Sequence, residues 1–361
     1  MNRKLAILTF HRAFNVGAML QAWALAAFAG KCGWTAEFPD CNTVGWTPRW
    51  RRVGRGEGWV LRIKVLLANL CSLGSEDLAR VRFARFARLL KRSPAVALER
   101  GDYELAIIGS DQVWNVRLTR TEAAVFFGET LPAALPVCVY AASAGDEPVT
   151  PATRERILRL VARAQAASVR ERIAGIELPV MADPVFLLSR DDFRLVAKRD
   201  LVRGKYVFVF MLRPDPWLMA LAREIARREG WKAVMTATDQ YSWVTAPRGL
   251  AYAVSPDRML GYVDGAECVL TNTFHGAAMA CVFGKRVFAV GRRGCAAPER
   301  IARLFAELGI ESRLSVSGSE MAAAADQALS PLPADFDARL RALSDRSQTF
   351  VQDRILGNIR R

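Results

Sequence analysis

The sequence is poor in the residues that build metal centres and disulfide frameworks. Two histidines, His11 and His275, occur among 361 residues, and the seven cysteines are scattered without a CxxC pair. Zinc sites and disulfide-stapled folds need cysteines and histidines at short, regular spacings. We therefore expect neither a metal centre nor a disulfide framework.

Long hydrophobic runs are also missing. The longest apolar runs, such as the one in GAMLQAWALAAFAG, are shorter than the roughly 18 to 20 residues that cross a bilayer. The basic start MNRKLAILTFHR turns polar where a signal peptide would need a small-residue cleavage site. These absences predict a cytoplasmic protein without a membrane span.

Positive charge, in contrast, is abundant. The formal net charge is +15, and roughly nine of the excess charges lie between residues 44 and 100. In LARVRFARFARLLKR the arginines alternate with apolar residues at helical spacing. This pattern indicates a surface helix with a solvated basic face, or alternatively a docking site for acidic partners or for phospholipids at the inner membrane face. No nucleic-acid-binding module accompanies the charge, which argues against RNA or DNA as a partner.

Short apolar runs alternate with helical patterns along most of the chain. The runs are KLAILTFH, ELAIIGS, LPVCVYAAS and ASVRE in the first half, and KYVFVFML, WKAVMTA, AECVLTNT and KRVFAV in the second. Such alternation predicts parallel sheets with helices on both faces. The fold class is therefore α/β, with two Rossmann-like doubly wound domains facing a cleft.

The domain boundaries follow from the same pattern. We expect an N-terminal domain over 1–190 with a basic helical insertion at about 45–100, a C-terminal domain over 200–330, and an amphipathic helix over 331–361 that packs back on the first domain. The stretch from Gly33 to about Gly58 is rich in Trp, Gly, Pro and Arg and is interpreted as a loop.

Ligands of doubly wound sheets bind at the loops that follow the strands. The polar residues of those loops are His11, Asn15, Gln21, Ser110, Asp111, Gln112, Asn115, Ser143, Arg170, Glu171, Asn272, Thr273 and His275. Asn15 and Gly17 suit a tight turn before a helix, but there is no GxGxxG motif to indicate a dinucleotide. Asp183, before Pro184, is expected to form a turn.

Several of these residues have two interpretations. His275 is either a proton donor, since histidine is the residue type most often used for general acid catalysis, or a hydrogen-bonded structural histidine. Asp111 is either a general base, with Gln112 and Asn115 orienting hydroxyls, or it caps the next helix together with Ser110. Trp114 belongs either to the core or to a sugar-stacking platform.

Six stretches, in this order, resemble the polysaccharide pyruvyl transferase family. They are NVGAMLQAWAL, IIGSDQVWN, VYAASAG, SVRE, DPVFLL and TNTFHGAAMACVFGKRV. The resemblance implies a glycosyltransferase B-like fold. It also implies transfer of a pyruvyl group from phosphoenolpyruvate to saccharide hydroxyls as a ketal, with release of phosphate and without a cofactor. The acceptor would be a saccharide or a lipid-linked saccharide.

The same resemblance implies roles for individual residues. His275 would be catalytic, and Arg170 would lie near the anionic groups of the donor. Thr273 stands where tested members of the family often carry a phosphate-binding arginine. Apart from the resemblance, the N-terminal amides of a helix that begins at His275 offer an anion site. Phosphate would then be held by the amides of Gly276 and Ala277, supported by Arg170, Lys285, Arg286 or Arg292. For Lys285 and Arg286 an ordinary polar turn before a strand is the alternative.

Two other functions remain open at this stage. One is a glycosyltransferase-like reaction with a nucleotide sugar in the same fold. The other is non-catalytic binding of a polyanion through the basic segment. The oligomeric state does not follow from the sequence.

Overall fold

The computed structural model describes residues 3–41, 80–145, 148–237, 250–251, 254–291, 299–315 and 320–357, together with Trp59, Ile63 and Leu78. The chain divides into two compact units. The first contains Met1–Trp46, Ala87–Ser189 and Leu340–Arg361, and the second contains Thr47–Phe86 and Arg190–Arg339. Most of the expected basic insertion, and Arg292, lie outside the described residues.

The first unit contains a six-stranded parallel sheet in the order β3-β2-β1-β4-β5-β6. Its strands are β1 (Arg3–Leu8), β2 (Trp34–Pro39), β3 (Arg92–Ser93), β4 (Leu105–Ile108), β5 (Val137–Ala142) and β6 (Ala166–Val169). The central strands β4 and β5 are buried along their whole length. Such uninterrupted apolar strands are typical of parallel sheets that are covered on both faces.

Helices cover this sheet. They are α1 (Val16–Lys31), α2 (Val96–Glu99), α3 (Val116–Thr119), α4 (Ala123–Phe126) and α5 (Pro151–Arg163), with 3₁₀ turns at Arg120–Glu122 and Pro184–Leu187. α5 begins where Thr150 accepts a hydrogen bond from the amide of Thr153, with Pro151 in the first turn. The capping residues of the helix and the apolar runs of the strands therefore both favour the α/β fold in this half of the chain.

The second unit repeats the design. Its parallel sheet has the order β12-β11-β10-β7-β8-β9. The strands are β7 (Tyr206–Met211), β8 (Lys232–Ala237), β9 (Leu250–Ala251), β10 (Cys268–Thr271), β11 (Arg286–Val290) and β12 (Leu314–Ser315). The helices are α6 (Arg190–Arg194), α7 (Pro216–Glu229), α8 (Pro256–Gly265), α9 (Phe274–Val282), α10 (Glu299–Leu308) and α11 (Met321–Leu329), with a 3₁₀ turn at Glu311–Arg313. Counted within each unit, both sheets have the Rossmann strand order 3-2-1-4-5-6, which confirms the predicted fold class.

The C-terminal helix α12 (Phe336–Thr349) continues as a π-helix over Phe350–Leu356. Ser347 Oγ accepts a hydrogen bond from the Ala182 amide at 3.2 Å, and the ring of Phe350 lies 6.4 Å from that of Tyr140. These contacts confirm that the C-terminal helix packs on the first unit. Among the described residues no helix is long and apolar enough to cross a membrane.

Strand β2 corrects the prediction of a loop after Gly33. Its first residue pairs with Arg3 of β1, and Phe38 is buried. The strand escaped sequence interpretation because WTAEFP is short, lacks strict alternation and ends on a proline. A proline is tolerated there because it closes the strand.

Candidate functional site

In each sheet the strand order reverses at one central position. This position lies between the carboxyl ends of β1 and β4 in the first unit and of β7 and β10 in the second. In the first unit Thr9 Oγ1 donates to the Ser110 carbonyl at 3.0 Å. In the second, Asn272 Oδ1 accepts from the Leu212 amide at 2.9 Å. These bonds join the two loops that border each ligand-binding position of a doubly wound sheet.

Asp111 follows β4 at this position in the first unit. Its backbone has φ 68°, which is unusual for a residue with a side chain. Its Oδ1 accepts from the Gln112 amide at 2.8 Å. The preceding Gly109 has φ 110°, and an added Cβ would overlap the carbonyl oxygen of Tyr140. The loop thus holds Asp111 in a strained conformation, as often found at functional sites.

Arg170 lies directly behind Asp111 and is almost fully buried. Its Nη1 donates to Asp183 Oδ2 at 2.8 Å, while its Nη2 lies 3.6 Å from Asp111 Oδ1 and its Nε lies 3.8 Å from Glu171 Oε2. Burial alone would lower the pKa of Arg170, but the charges of Asp183, Asp111 and Glu171 outweigh it and raise that pKa. The guanidinium is therefore held by three carboxylates of the protein.

The guanidinium of Arg170 is therefore engaged within the protein, by a hydrogen bond to Asp183 and by ionic contacts with Asp111 and Glu171. Its predicted role near the anionic groups of the donor stays a prediction. The sequence suggested only a turn for Asp183, whose Oδ1 does cap the following 3₁₀ turn through the Val185 amide at 3.2 Å, but it did not reveal the ion pair.

Three residues predicted for the acceptor site belong to the core instead. Ser110, Ser143 and Trp114 are all buried. Ser110 Oγ donates to the Ala141 carbonyl at 2.9 Å, Ser143 Oγ accepts from the Gly145 amide at 3.1 Å, and the indole N–H of Trp114 donates to the Phe126 carbonyl at 3.1 Å. Their polar groups form hydrogen bonds within the protein. Because the ring of Trp114 is buried, it cannot stack on a sugar.

The helix after β4 is capped by Asn115, not by Ser110 or Asp111. Asn115 Oδ1 accepts from the Arg117 amide at 3.2 Å at the start of α3. The Asn115 Nδ2 donates to Gln112 Oε1 at 2.9 Å. Both amide side chains are partly exposed. Asp111 therefore does not cap α3, and it is buried at 8% exposure.

His11 is a buried and hydrogen-bonded histidine. One ring nitrogen, Nδ1, lies 3.1 Å from the Thr9 carbonyl, and Nε2 lies 3.3 Å from Asp40 Oδ1. Burial lowers the pKa of His11 more than its hydrogen bond to Asp40 raises it. Asp40 in turn forms an ion pair with Arg92. Sequence interpretation missed Asp40, although a carboxylate directly after Phe38 and Pro39 could have signalled a strand end.

The start of α1 is ordered by two amide side chains. Asn15 Oδ1 accepts from the Ala18 amide at 3.1 Å, which makes Asn15 the N-cap. Gly17 is buried in the first turn. Gln21 Nε2 donates to Thr9 Oγ1 at 2.9 Å and to the Ala18 carbonyl at 3.0 Å. Its buried Oε1 has no hydrogen-bond partner among the described residues, so Gln21 retains one free acceptor beside the strand-order reversal.

In the second unit, α9 begins directly after β10. Thr273 is its N-cap, and its Oγ1 accepts from the Gly276 amide at 3.0 Å. The Thr273 carbonyl accepts from the Ala277 amide at 3.1 Å. Both amides predicted to bind phosphate are therefore already used within the helix, which corrects that assignment.

His275 is the second residue of α9 and is only partly buried. Its ring meets that of Phe274 edge to face, with 5.3 Å between the ring centroids. The imidazole thus lies at the carboxyl edge of the sheet, beside the loop that Asn272 joins to the end of β7. This is the position predicted for it.

Lys285 and Arg286 lie at the other end of α9, where β11 begins. Since parallel strands all begin at the same edge, this edge is opposite to the one that carries His275. Burial lowers the pKa of Lys285. Arg286 Nη1 donates to the Leu329 carbonyl at 2.9 Å. Neither residue can support an anion beside His275, so their predicted role is wrong.

Position 276 has to be a glycine because the neighbouring threonine hydroxyls leave no room for a side chain. An added Cβ would overlap Thr271 Oγ1 and would lie 2.7 Å from Thr273 Oγ1. We expect Gly276→Ala to lower the free energy of unfolding by about 1–3 kcal/mol, because the cap must shift to make room. Gly30→Ala is the control, since nothing lies within 4 Å of its added Cβ. Chemical denaturation of both variants tests this expectation, and equal stability would refute the crowding argument.

A family of known proteins matches most of the chain. The family model for polysaccharide pyruvyl transferase matches residues 15–294. No curated protein is significantly similar in sequence.

Similar solved structures include two epimerases and a glycosyltransferase. They are UDP-GlcNAc 2-epimerase from Methanocaldococcus jannaschii (10% identity, 96% of this chain and 99% of that chain, TM-score 0.49), UDP-N-acetylglucosamine 2-epimerase from Rickettsia bellii (8%, 99% and 100%, 0.46) and the glycosyltransferase SnogD from Streptomyces nogalater (11%, 98% and 96%, 0.44). Likeness at this level carries no conclusion about activity.

Proposed function

The chain belongs to the polysaccharide pyruvyl transferase family, and on that premise we propose that it transfers a pyruvyl group from phosphoenolpyruvate to two hydroxyls of a saccharide. The product is a ketal, and phosphate is released. One hydroxyl proton ends on the former methylene carbon, and the other leaves with the phosphate. The observation that supports this proposal most strongly is the family match over residues 15–294, which includes both Asp111 and His275.

Asp111 is proposed as the base for an acceptor hydroxyl. Its carboxylate lies at the carboxyl end of β4 and does not cap a helix. Arg170 Nη2 lies 3.6 Å from Asp111 Oδ1 and is proposed to position this carboxylate. A general base must be fixed in orientation and able to accept a proton at working pH. The partly exposed amides of Gln112 and Asn115 are suited to bind neighbouring hydroxyls, since each offers donors and an acceptor.

His275 is proposed as the acid that protonates the methylene carbon of the donor. A histidine titrates close to neutrality and can both deliver and recover a proton. As the second residue of α9 it is only partly buried, and the helix fixes its backbone. The positive end of the helix dipole also favours an anionic donor nearby.

Asp111→Asn tests the base. Asparagine tolerates the left-handed backbone and can still accept from the Gln112 amide, so the fold is preserved. We expect kcat to fall by about 10²-fold, because the amide cannot take up the hydroxyl proton. Asp102→Asn, at an exposed carboxylate of the same unit, is the control and should leave kcat unchanged. A wild-type kcat for Asp111→Asn would exclude the assigned role.

The reaction itself is tested by following the label from carboxyl-labelled phosphoenolpyruvate. The acceptors are pyranosides with free vicinal or 4,6-related hydroxyls, and the blank is His275→Ala. We expect an acid-labile labelled saccharide to form together with an equal amount of phosphate. Transfer of a glycosyl group from a UDP-sugar to the same acceptors, without transfer from phosphoenolpyruvate, would instead support the nucleotide-sugar alternative.

A further inference from the structure

Large apolar side chains are unusually exposed in one part of the chain. Of the ten such residues among those that the structure describes, five lie between positions 59 and 89. The most exposed of these five are Trp59, at 73%, and Val81, at 66%. Isolated exposed apolar residues are ordinary on protein surfaces, but a concentration of them marks an interaction surface.

The helix over residues 80–87 shows how this concentration is arranged. Phe83 and Phe86, three positions apart, are buried. Leu78, Val81 and Arg85 follow one another at spacings of three and four, and all three are exposed. Residues with these spacings share a helix face. The helix therefore buries one apolar face in the protein and presents a second face, apolar and basic, to the solvent.

Trp59 and Ile63 show the same arrangement. Both are helical, both are exposed, and they are four positions apart, so they share a face. Tryptophan on such a face suits the boundary between lipid headgroups and acyl chains, because its ring is apolar and its N–H remains hydrogen-bonded. Trp59 and Ile63 belong to the same unit as Leu78, Val81 and Arg85.

The charge of this segment indicates which partner fits. Residues 59–92 contain eight lysines and arginines against two carboxylates. A basic helix with large apolar residues binds at the surface of anionic bilayers, where apolar burial and attraction to lipid headgroups act together. A nucleic acid or another polyanion would satisfy the charge but would leave the valine, leucine and isoleucine in water.

We propose that the second unit docks on anionic phospholipid bilayers through a docking surface made of two helix faces, one with Trp59 and Ile63 and the other with Leu78, Val81 and Arg85. This docking surface does not depend on the proposed reaction. It would bring the enzyme to lipid-linked acceptors if the acceptor is of that class.

Sedimentation of the full-length protein with vesicles tests the docking surface. We expect binding to phosphatidylcholine vesicles that contain phosphatidylglycerol, weak binding to phosphatidylcholine alone, and loss of binding in high salt. Arg85→Gln should weaken binding about fivefold, the effect of removing one basic residue near an anionic membrane. Trp59→Ser and Val81→Ser should also weaken binding, because they remove apolar groups that enter the interface.

Matched controls lie elsewhere on the second unit. Leu195→Ser removes an apolar residue that is 84% exposed, and Arg223→Gln removes an exposed arginine; both should bind as wild type does. Equal binding to both kinds of vesicle, or unchanged binding by the three surface variants, would overturn the proposal. A fall in oligomer mass in the variants without a change in vesicle binding would also overturn the proposal, because the surface would then join two copies of the chain. RNA binding that Arg85→Gln weakens and Trp59→Ser spares, without vesicle binding, would point to a polyanion and equally overturn it.

Discussion

His275→Ala is expected to lower kcat by about 10³-fold while leaving the fold intact. The catalytic loss follows from the proposed role, because the start of α9 carries no other imidazole, carboxyl or amino side chain that could protonate the donor. The fold should survive because the helix is started by Thr273 and Gly276, whose hydrogen bonds do not involve the imidazole. The free energy of unfolding should change by no more than about 0.5 kcal/mol, as is usual for a partly exposed residue.

His275→Gln separates proton transfer from hydrogen bonding. Glutamine keeps a donor and an acceptor but does not titrate. If His275 is the acid, the glutamine variant should be as inactive as the alanine variant. If the glutamine variant keeps most of its kcat, the histidine only binds the substrate, and the acid must be another group.

Arg170→Met is expected to lower the free energy of unfolding by about 3–5 kcal/mol, the usual cost of leaving buried charges without their partner. Without the guanidinium, the carboxylates of Asp111, Glu171 and Asp183 lose their shared counter-charge. Urea denaturation measures the loss.

Two further variants decide what Arg170 does. Arg172→Met, at an exposed arginine two residues away, should be nearly neutral for stability. Arg170→Lys keeps the charge without the planar fork, so it should be intermediate in stability and should mainly lower kcat. Should Arg170→Lys instead fold as stably as wild type and raise the KM for phosphoenolpyruvate alone, Arg170 would contact the donor, and its assignment as a residue that positions Asp111 would be wrong.

Most of the sheet architecture could be predicted because each core strand is an apolar run between polar turns. Strand β2 could not, because WTAEFP mixes polar and apolar residues and its burial comes from pairing with β1. The positions of Asp111 and His275 were predictable for a similar reason, since both directly follow buried strands and the carboxyl ends of parallel strands carry the ligand sites.

The ion pairs around Asp111 could not be predicted from the sequence. Asp111, Arg170 and Asp183 are separated by 59 and 13 positions, and only the folded sheet brings their charges together. Lys285 was misassigned for the opposite reason. It is close to His275 in sequence, but a complete helix separates the two edges of the sheet on which they lie. Sequence proximity across one helix is therefore a poor guide to a shared site.

The identity of the donor is tested most directly by the unfolding temperature of the wild-type protein during titration with phosphoenolpyruvate. UDP-glucose and UDP-N-acetylglucosamine serve as competing ligands, and sodium chloride of equal ionic strength serves as the control. A ligand that binds the folded state raises the unfolding temperature in a saturable way. We predict such a rise with phosphoenolpyruvate and none with the UDP-sugars or the salt. A saturable rise with a UDP-sugar and none with phosphoenolpyruvate would contradict pyruvyl transfer.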